Sequence, residues 1–167
     1  MNKQEIAQVR NIVSHYYKQY QEGKIDECIV SADKTINECL RVPVADGNRK
    51  TLHREIARLH RIVGRCYYKR GDRARAMGVL ESGNALDLYY FDKALIKKDI
   101  VVLLIKDGNS DEARKVLIDT IGEMKRDYPT GEDLGDNGKV LVKEFITLFQ
   151  NIERSKEDLS DSNFSEI

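Results

Sequence analysis

The stretch from Gly64 to Leu86, GRCYYKRGDRARAMGVLESGNAL, decides the fold of this 167-residue chain. It admits three interpretations. Its glycines could cradle a phosphate, its interleaved arginines and tyrosines could bind nucleic acid, or its spacing could mark one unit of a helical repeat. A phosphate-binding P-loop follows the pattern G-x-x-x-x-G-K-[ST] after a strand. Neither that pattern nor a strand is found in GRCYYKRG, so the phosphate interpretation is rejected.

The spacing of apolar residues predicts an all-α fold. Along almost the whole chain these residues recur three and four positions apart, whereas the alternation typical of strands is not sustained. Glycines at positions 23, 71 and 108 each follow a helical stretch and can adopt the positive φ that closes a helix. Asp72, and Asn109 or Ser110, are candidate N-caps for the next helices. The predicted helices span 3–22, 25–41, 50–70, 73–86, 90–106, 110–127 and 138–155.

The residues around Gly71 resemble one tetratricopeptide repeat, a helix-turn-helix unit of about 34 residues. The family pattern combines L-G-x2-Y with a later A-x3-F and a further small residue. The hairpins around Gly23 and Gly108 match less closely, and the bulky Tyr16 stands at a place where the first of them should have a small residue. In the middle hairpin the residues that match the pattern are Gly64, Tyr67, Ala76 and Gly83. Val63, Leu80 and His60 take the leucine, phenylalanine and tryptophan places.

This resemblance implies a short array of three helix-turn-helix hairpins plus a C-terminal capping helix. A single helical domain over 1–155 follows, with the acidic segment 156–167 as a tail that we expect to be disordered. Small residues such as Gly64 would let the two helices of a hairpin approach closely, while Tyr67 and Leu80 would fill the space between neighbouring hairpins.

Composition and spacing give no indication of catalysis, metal binding or membrane insertion. Cys28, Cys39 and Cys66 are widely spaced and form no CxxC pair, which predicts buried thiols. His53 and His60 lie two helical turns apart and so cannot share a metal ion. No apolar run reaches the length of a membrane span or a signal peptide. We therefore expect a cytoplasmic protein that is not an enzyme and uses no cofactor or metal.

The net charge of zero conceals a basic middle and an acidic far end. Residues 49–75 contain ten Lys or Arg against two acidic residues, whereas 107–137 contain nine acidic residues against four basic. On the helix over 50–70 the basic side chains fall within an arc of about 100°, opposite the apolar face. The family resemblance implies that this basic face lines a concave groove. The predicted partner-binding residues are Arg10, Tyr17, Tyr20, Arg54, Arg58, Arg61, Arg65, Tyr68 and Lys98.

A groove that is basic at its centre and aromatic at one end suits a peptide with acidic residues and an apolar anchor. The leading hypothesis is a non-catalytic adaptor or chaperone that binds a protein segment there. One alternative is a nucleic-acid-binding or regulatory protein that uses the same side chains, although zero net charge counts against it. Another is a solvated face without a partner. The sequence leaves open the partner's identity, whether the chain forms a homodimer, and whether the acidic tail occupies the groove.

Overall fold

The computed structural model describes residues 1–128 and 134–154. These residues form helices and their connections without any strand, so the predicted all-α fold is confirmed. The predicted loop residues 129–133 and the predicted tail 156–167 lie outside the described residues. The helices are α1 (Lys3–Gln21), α2 (Ile25–Arg41), α3 (Asp46–Lys69), α4 (Arg73–Asn84), α5 (Tyr90–Lys106), α6 (Ser110–Asp127) and α7 (Gly135–Arg154).

The turns between paired helices contain the glycines that the sequence indicated. Gly23, Gly71 and Gly108 have φ angles of 78°, 81° and 78°, in the left-handed region where a residue without Cβ meets no steric penalty. Asp72 caps α4, because its Oδ1 accepts a hydrogen bond from the backbone N–H of Arg75 at 3.2 Å. The glycine turns and the Asp72 cap are thus as predicted, whereas Asn109 occupies the N-cap position of α6 without a capping hydrogen bond from its side chain.

Helix α3 begins earlier than predicted. Its first residue is Asp46, which follows an extended N-cap at Ala45, whereas the start predicted from the sequence is position 50. The Asp46 carboxylate in the first turn interacts favourably with the partial positive charge of the helix N-terminus. In the sequence, Gly47 favoured a loop. A glycine inside a helix lowers stability by only about 0.5–1 kcal/mol relative to alanine, so α3 can include it.

The chain divides into two compact units, Met1–Ile96 and Lys97–Ile167, with the boundary inside α5. The sequence predicted one domain over 1–155. In the first unit, α1 packs against α2 and also against α3. Arg10 of α1 pairs with Glu55 of α3, and Tyr20 further along α1 meets Lys69 further along α3. Because the residue numbers of these contacting pairs increase in the same direction along both helices, α1 and α3 run parallel.

Helices α3 and α4 approach each other closely through glycines. A Cβ added to Gly64 would lie 2.9 Å from Cγ of Leu80, and one added to Gly83 would lie 2.8 Å from Cβ of His60. Real Cβ atoms essentially never come this close to another heavy atom. The predicted role of small residues in this hairpin is therefore confirmed.

The first hairpin, formed by α1 and α2, accommodates the bulky Tyr16 through hydrogen bonds. The Tyr16 hydroxyl lies 3.0 Å from Oγ1 of Thr35, and the Tyr16 carbonyl accepts a hydrogen bond from Sγ of Cys28 at 3.4 Å. The departure from the repeat pattern at this position is thus compensated by polar contacts between the two helices.

In the second unit, α7 packs against α6. Leu141, Phe145 and Leu148 of α7 are buried, and their spacing places them on one side of the helix. Leu117 and Met124 of α6 are buried as well. The apolar periodicity that predicted a C-terminal helix therefore corresponds to its buried face.

Two glycines of α4 provide a matched test of the close approach. Gly78 has no atom within 4 Å of an added Cβ, so Gly78→Ala should raise the free energy of unfolding by about 0.5–1 kcal/mol through helix propensity. Gly83→Ala gains the same propensity, but overpacking against His60 costs roughly 1–3 kcal/mol. The net change at Gly83 should be a loss of about 1 kcal/mol. Urea denaturation measures both values, and equal changes would contradict the close approach.

Candidate partner-binding face

The surface where α1 lies beside α3, here called the α1–α3 face, contains most of the predicted partner-binding residues. At its centre is the carboxylate of Glu55, a residue that is 0% exposed. Nε of Arg10 donates to Oε1 of Glu55 at 2.9 Å, and Nη1 of Arg58 donates to Oε2 at 2.9 Å. Two guanidinium groups therefore share one carboxylate, and this cluster retains one positive charge.

Arg54, near the start of α3, is held by Asp92 of α5. Its Nε donates to Oδ2 of Asp92 at 2.9 Å, and its guanidinium carbon lies 5.0 Å from the ring centroid of Tyr89. The hydrogen bond to Asp92 raises the pKa of Arg54. Because the Asp92 carboxylate neutralises it, Arg54 adds little net charge to the α1–α3 face.

Aromatic rings and a lysine form the other end of the face. The rings of Tyr17 and Tyr20 are stacked, with centroids 6.2 Å apart and planes inclined by 22°. Nζ of Lys69 lies 4.0 Å from the Tyr20 centroid, within the range of a cation–π interaction. Tyr68 is half-buried. This end offers rigid aromatic area next to a positive charge.

Arg61 and Arg65 do not lie on the open surface that the sequence predicted for them. Only 3% of Arg61 and 4% of Arg65 is exposed, and both side chains already have interactions within the chain. Lys98 is 3% exposed and lies in the second unit, where its Nζ donates to Oε2 of Glu144 at 2.7 Å. The expectation of a continuous exposed basic stripe is therefore corrected. Helical periodicity places residues on one side of α3 but does not show what covers them.

The structure also contains a concave feature that was not predicted. A cavity of about 720 Å³, here called the α2–α4 groove, lies between α2 and α4 and has α3 as its floor. A signal for it was present in the sequence, because Ala74, Gly78 and Ser82 recur every four residues and so give one side of α4 small side chains. The sequence patterns assigned roles to the glycines that close turns or match the repeat, but none to Gly78.

The three cysteines are buried thiols, and a hydrogen bond between Cys28 and Cys66 lowers the pKa of Cys28. Cys28, Cys39 and Cys66 are free and buried, as predicted. The hydrogen bond with the Cys28 thiol, together with burial, raises the pKa of Cys66. A thiol that stays protonated is a poor nucleophile. Burial lowers the pKa of His60 below its ordinary value, so this imidazole is neutral at pH 7.

The described residues contain no cluster of three or more His, Cys, Asp or Glu side chains that could hold a metal ion. Nor does any helix in that part of the chain combine the length and apolarity needed to cross a bilayer. No protein-family model, curated protein or solved structure matches the sequence or the fold. The tetratricopeptide resemblance therefore stays a prediction.

Proposed function

We propose that this protein is a non-catalytic, tetratricopeptide-like interaction module that binds an acidic protein segment on the α1–α3 face. The shared Glu55 carboxylate is the observation on which this proposal depends. Arg10 and Arg58 divide it between them, which leaves excess positive charge fixed on the face that also contains the tyrosine stack. A carboxylate of a partner would complete the cluster, because arginine binds carboxylates through its planar fork. Such a module serves as an adaptor or chaperone of the cytoplasm.

The tyrosines supply the affinity that the charges cannot. An exposed ion pair contributes about 0–1 kcal/mol, whereas micromolar binding requires about 8 kcal/mol. Tyr17 and Tyr20 are half-buried and stacked, so they offer contact area that is already ordered before a partner arrives. Ordered side chains lose less entropy on binding. We therefore assign the apolar anchor of the partner to this end of the face.

Binding of nucleic acid is the alternative use of the same side chains. Phosphate binding depends on cationic groups that release counterions. The formal net charge of the chain is zero, whereas nucleic-acid-binding domains are usually basic overall. A protein segment is therefore the favoured partner. A mobility-shift titration across salt distinguishes the two, since binding of RNA or DNA that weakens steeply with salt would support the alternative.

The test uses side chains of the α1–α3 face that can be changed without unfolding the protein. The tagged chain first captures its partner from a native extract, and the identified partner is then titrated against the triple variant Arg10→Gln, Tyr17→Ser, Lys69→Gln. Arg58 continues to neutralise Glu55 in this variant. We expect binding at least about tenfold weaker, with unchanged helical circular dichroism.

A matched control changes the same chemistry on α2. Lys34, Val30 and Arg41 are exposed there, so Lys34→Gln, Val30→Ser, Arg41→Gln should bind the partner like the wild type. Undiminished binding by the α1–α3 variant, or equal loss in both, would contradict the assignment. Charge reversal at Arg58, Arg61 and Arg65 is unsuitable as a test, because it would place negative charge at two buried positions and beside Glu55.

A further inference from the structure

We infer that the α2–α4 groove is a second binding site, which takes an amphipathic α-helix of a partner protein bearing a lysine or arginine among small and aliphatic residues. The groove lies entirely within the first unit. It is formed by other side chains than the α1–α3 face, so this inference does not rest on the function proposed above.

The walls of the groove have the shape that receives a helix. On α2 the lining residues Ile36 and Leu40 form an apolar ridge, and Leu40 is 50% exposed. On α4 the small residues Ala74, Gly78 and Ser82 face the same cavity. A large ridge opposite a small-residue wall lets an incoming helix approach α4 closely while it packs against α2. The lining of α2 runs from Asp33 to Leu40, about two helical turns.

The occupant is a helix because the walls offer an extended peptide no backbone partners. Peptides that bind as strands pair with the free N–H and C=O groups of a sheet edge. Here α2 and α4 are helices whose interior backbone groups bond within the helix. Binding to such walls depends on side chains at helical spacing, which is the helix-in-groove mode.

Two groups in the lining lack the hydrogen-bond donor or cation that their chemistry requires. The carboxylate of Asp33 has no ion pair or hydrogen bond with any residue that the structure describes, and burial raises its pKa. His60 is 8% exposed, and its Nδ1 has no hydrogen-bond partner within the same residues. A neutral imidazole with an unused ring nitrogen accepts hydrogen bonds. Because Nδ1 of His60 is itself buried and Asp33 is half-buried, Asp33 is the one of these two groups that an occupant can contact.

Several donors in the lining have partners within the chain. Nε of Arg75 lies 3.3 Å from Oδ2 of Asp72, and its guanidinium carbon lies 5.8 Å from the Tyr67 centroid. The amide nitrogen of Asn37 donates to the Asp33 carbonyl at 2.9 Å. The Ser82 hydroxyl donates to the Gly78 carbonyl at 2.9 Å. Because Asp72 offsets the charge of Arg75, the carboxylate of Asp33 is the charge of the lining that an occupant would pair with, which selects lysine or arginine.

The two faces lie on different sides of α3. At 100° per residue, His60 and Tyr67 in the groove floor lie about 120–140° from the centre of the arc that contains Arg54, Arg58 and Tyr68. The groove calls for a cation, whereas the α1–α3 face has cationic excess. One chain can therefore bind a basic helix and an acidic segment at the same time.

The test is selection from a phage-displayed library of short helical peptides with an alanine frame and one randomised face. The immobilised full-length chain is the bait, and the Gly78→Leu variant is kept for the binding measurements that follow. An added side chain at Gly78 meets open space, so leucine there fills the groove while the helix keeps its backbone. We expect enrichment of peptides in which Lys or Arg is flanked by aliphatic residues.

Fluorescence polarisation of an enriched peptide then measures each contribution. Asp33→Asn keeps the shape of the side chain but removes its charge, and should weaken binding at least about tenfold. Gly78→Leu should abolish binding. Gly47→Leu is the matched control, because Gly47 in α3 also faces open space and does not line the groove. The Arg10→Gln, Tyr17→Ser, Lys69→Gln variant should bind the peptide normally, which separates this result from the test of the α1–α3 face.

Three outcomes would overturn the inference. These are enrichment of acidic peptides or of none, equal binding by Gly78→Leu and the wild type, and no effect of Asp33→Asn. A synthetic peptide of residues 156–167 serves as competitor. Because that segment is acidic, it should not displace the selected peptide, and displacement would assign the groove to the chain itself.

Discussion

Replacing Glu55 with glutamine is expected to lower the free energy of unfolding by about 3 kcal/mol. The carboxylate is fully buried and accepts hydrogen bonds from both Arg10 and Arg58. Glutamine keeps the size of the side chain but removes the charge that both guanidinium groups require. Removing one partner of a buried ion pair costs roughly 3–5 kcal/mol, and the lower end applies because the arginines are partly exposed. Urea denaturation followed by circular dichroism measures the change.

Arg10→Ala is the control for this result. The Arg10 side chain is 52% exposed, and its loss leaves Arg58 in place to neutralise Glu55. The expected cost is below about 1 kcal/mol, as for other solvent-accessible ion pairs. If Glu55→Gln were as stable as Arg10→Ala, the carboxylate would not be the centre of the α1–α3 face.

Replacing Phe145 with alanine is expected to cost about 3–5 kcal/mol. Phe145 of α7 is 0% exposed and is among the largest fully buried side chains. Its truncation removes apolar area from the core of the second unit and leaves a cavity. The same denaturation experiment measures the loss, and a lower fluorescence-detected melting temperature would accompany it.

The adjacent Ile146 supplies the comparison. It is 46% exposed, so Ile146→Ala should cost less than about 1 kcal/mol, because little apolar area leaves water at this position. Comparable losses at the two neighbouring positions would mean that α7 presents a different face to α6.

Local chemistry explains why the helices were predictable from the sequence. Turn glycines such as Gly71 and caps such as Asp72 act on their own neighbours, and apolar periodicity marks each buried face. The start of α3 was misplaced because Gly47 resembles a loop signal. The division into two units within α5 has no local signal, since α5 continues through the boundary as one helix.

The candidate site was less predictable because it depends on contacts between distant parts of the chain. The helical wheel of α3 grouped Arg54, Arg58, Arg61 and Arg65 as one partner-binding face but did not show that Arg61 and Arg65 are buried. Glu55 and Arg10 are 45 positions apart, and Arg54 and Asp92 are 38 apart. No pattern within one helix reveals such pairs. The α2–α4 groove could not be predicted either, because it depends on the distance between α2 and α4 in the folded chain.

The glycines of α4 also determine how this helix opens. Two of its twelve residues are glycine, each of which lowers helix propensity by about 1 kcal/mol, and isolated helices this short are marginal in water. Helix α4 therefore depends on docking against α3 for its stability. Its amide hydrogens will exchange with solvent through local opening that leaves α3 intact. We therefore expect α4 to be the less stable of the two walls of the α2–α4 groove.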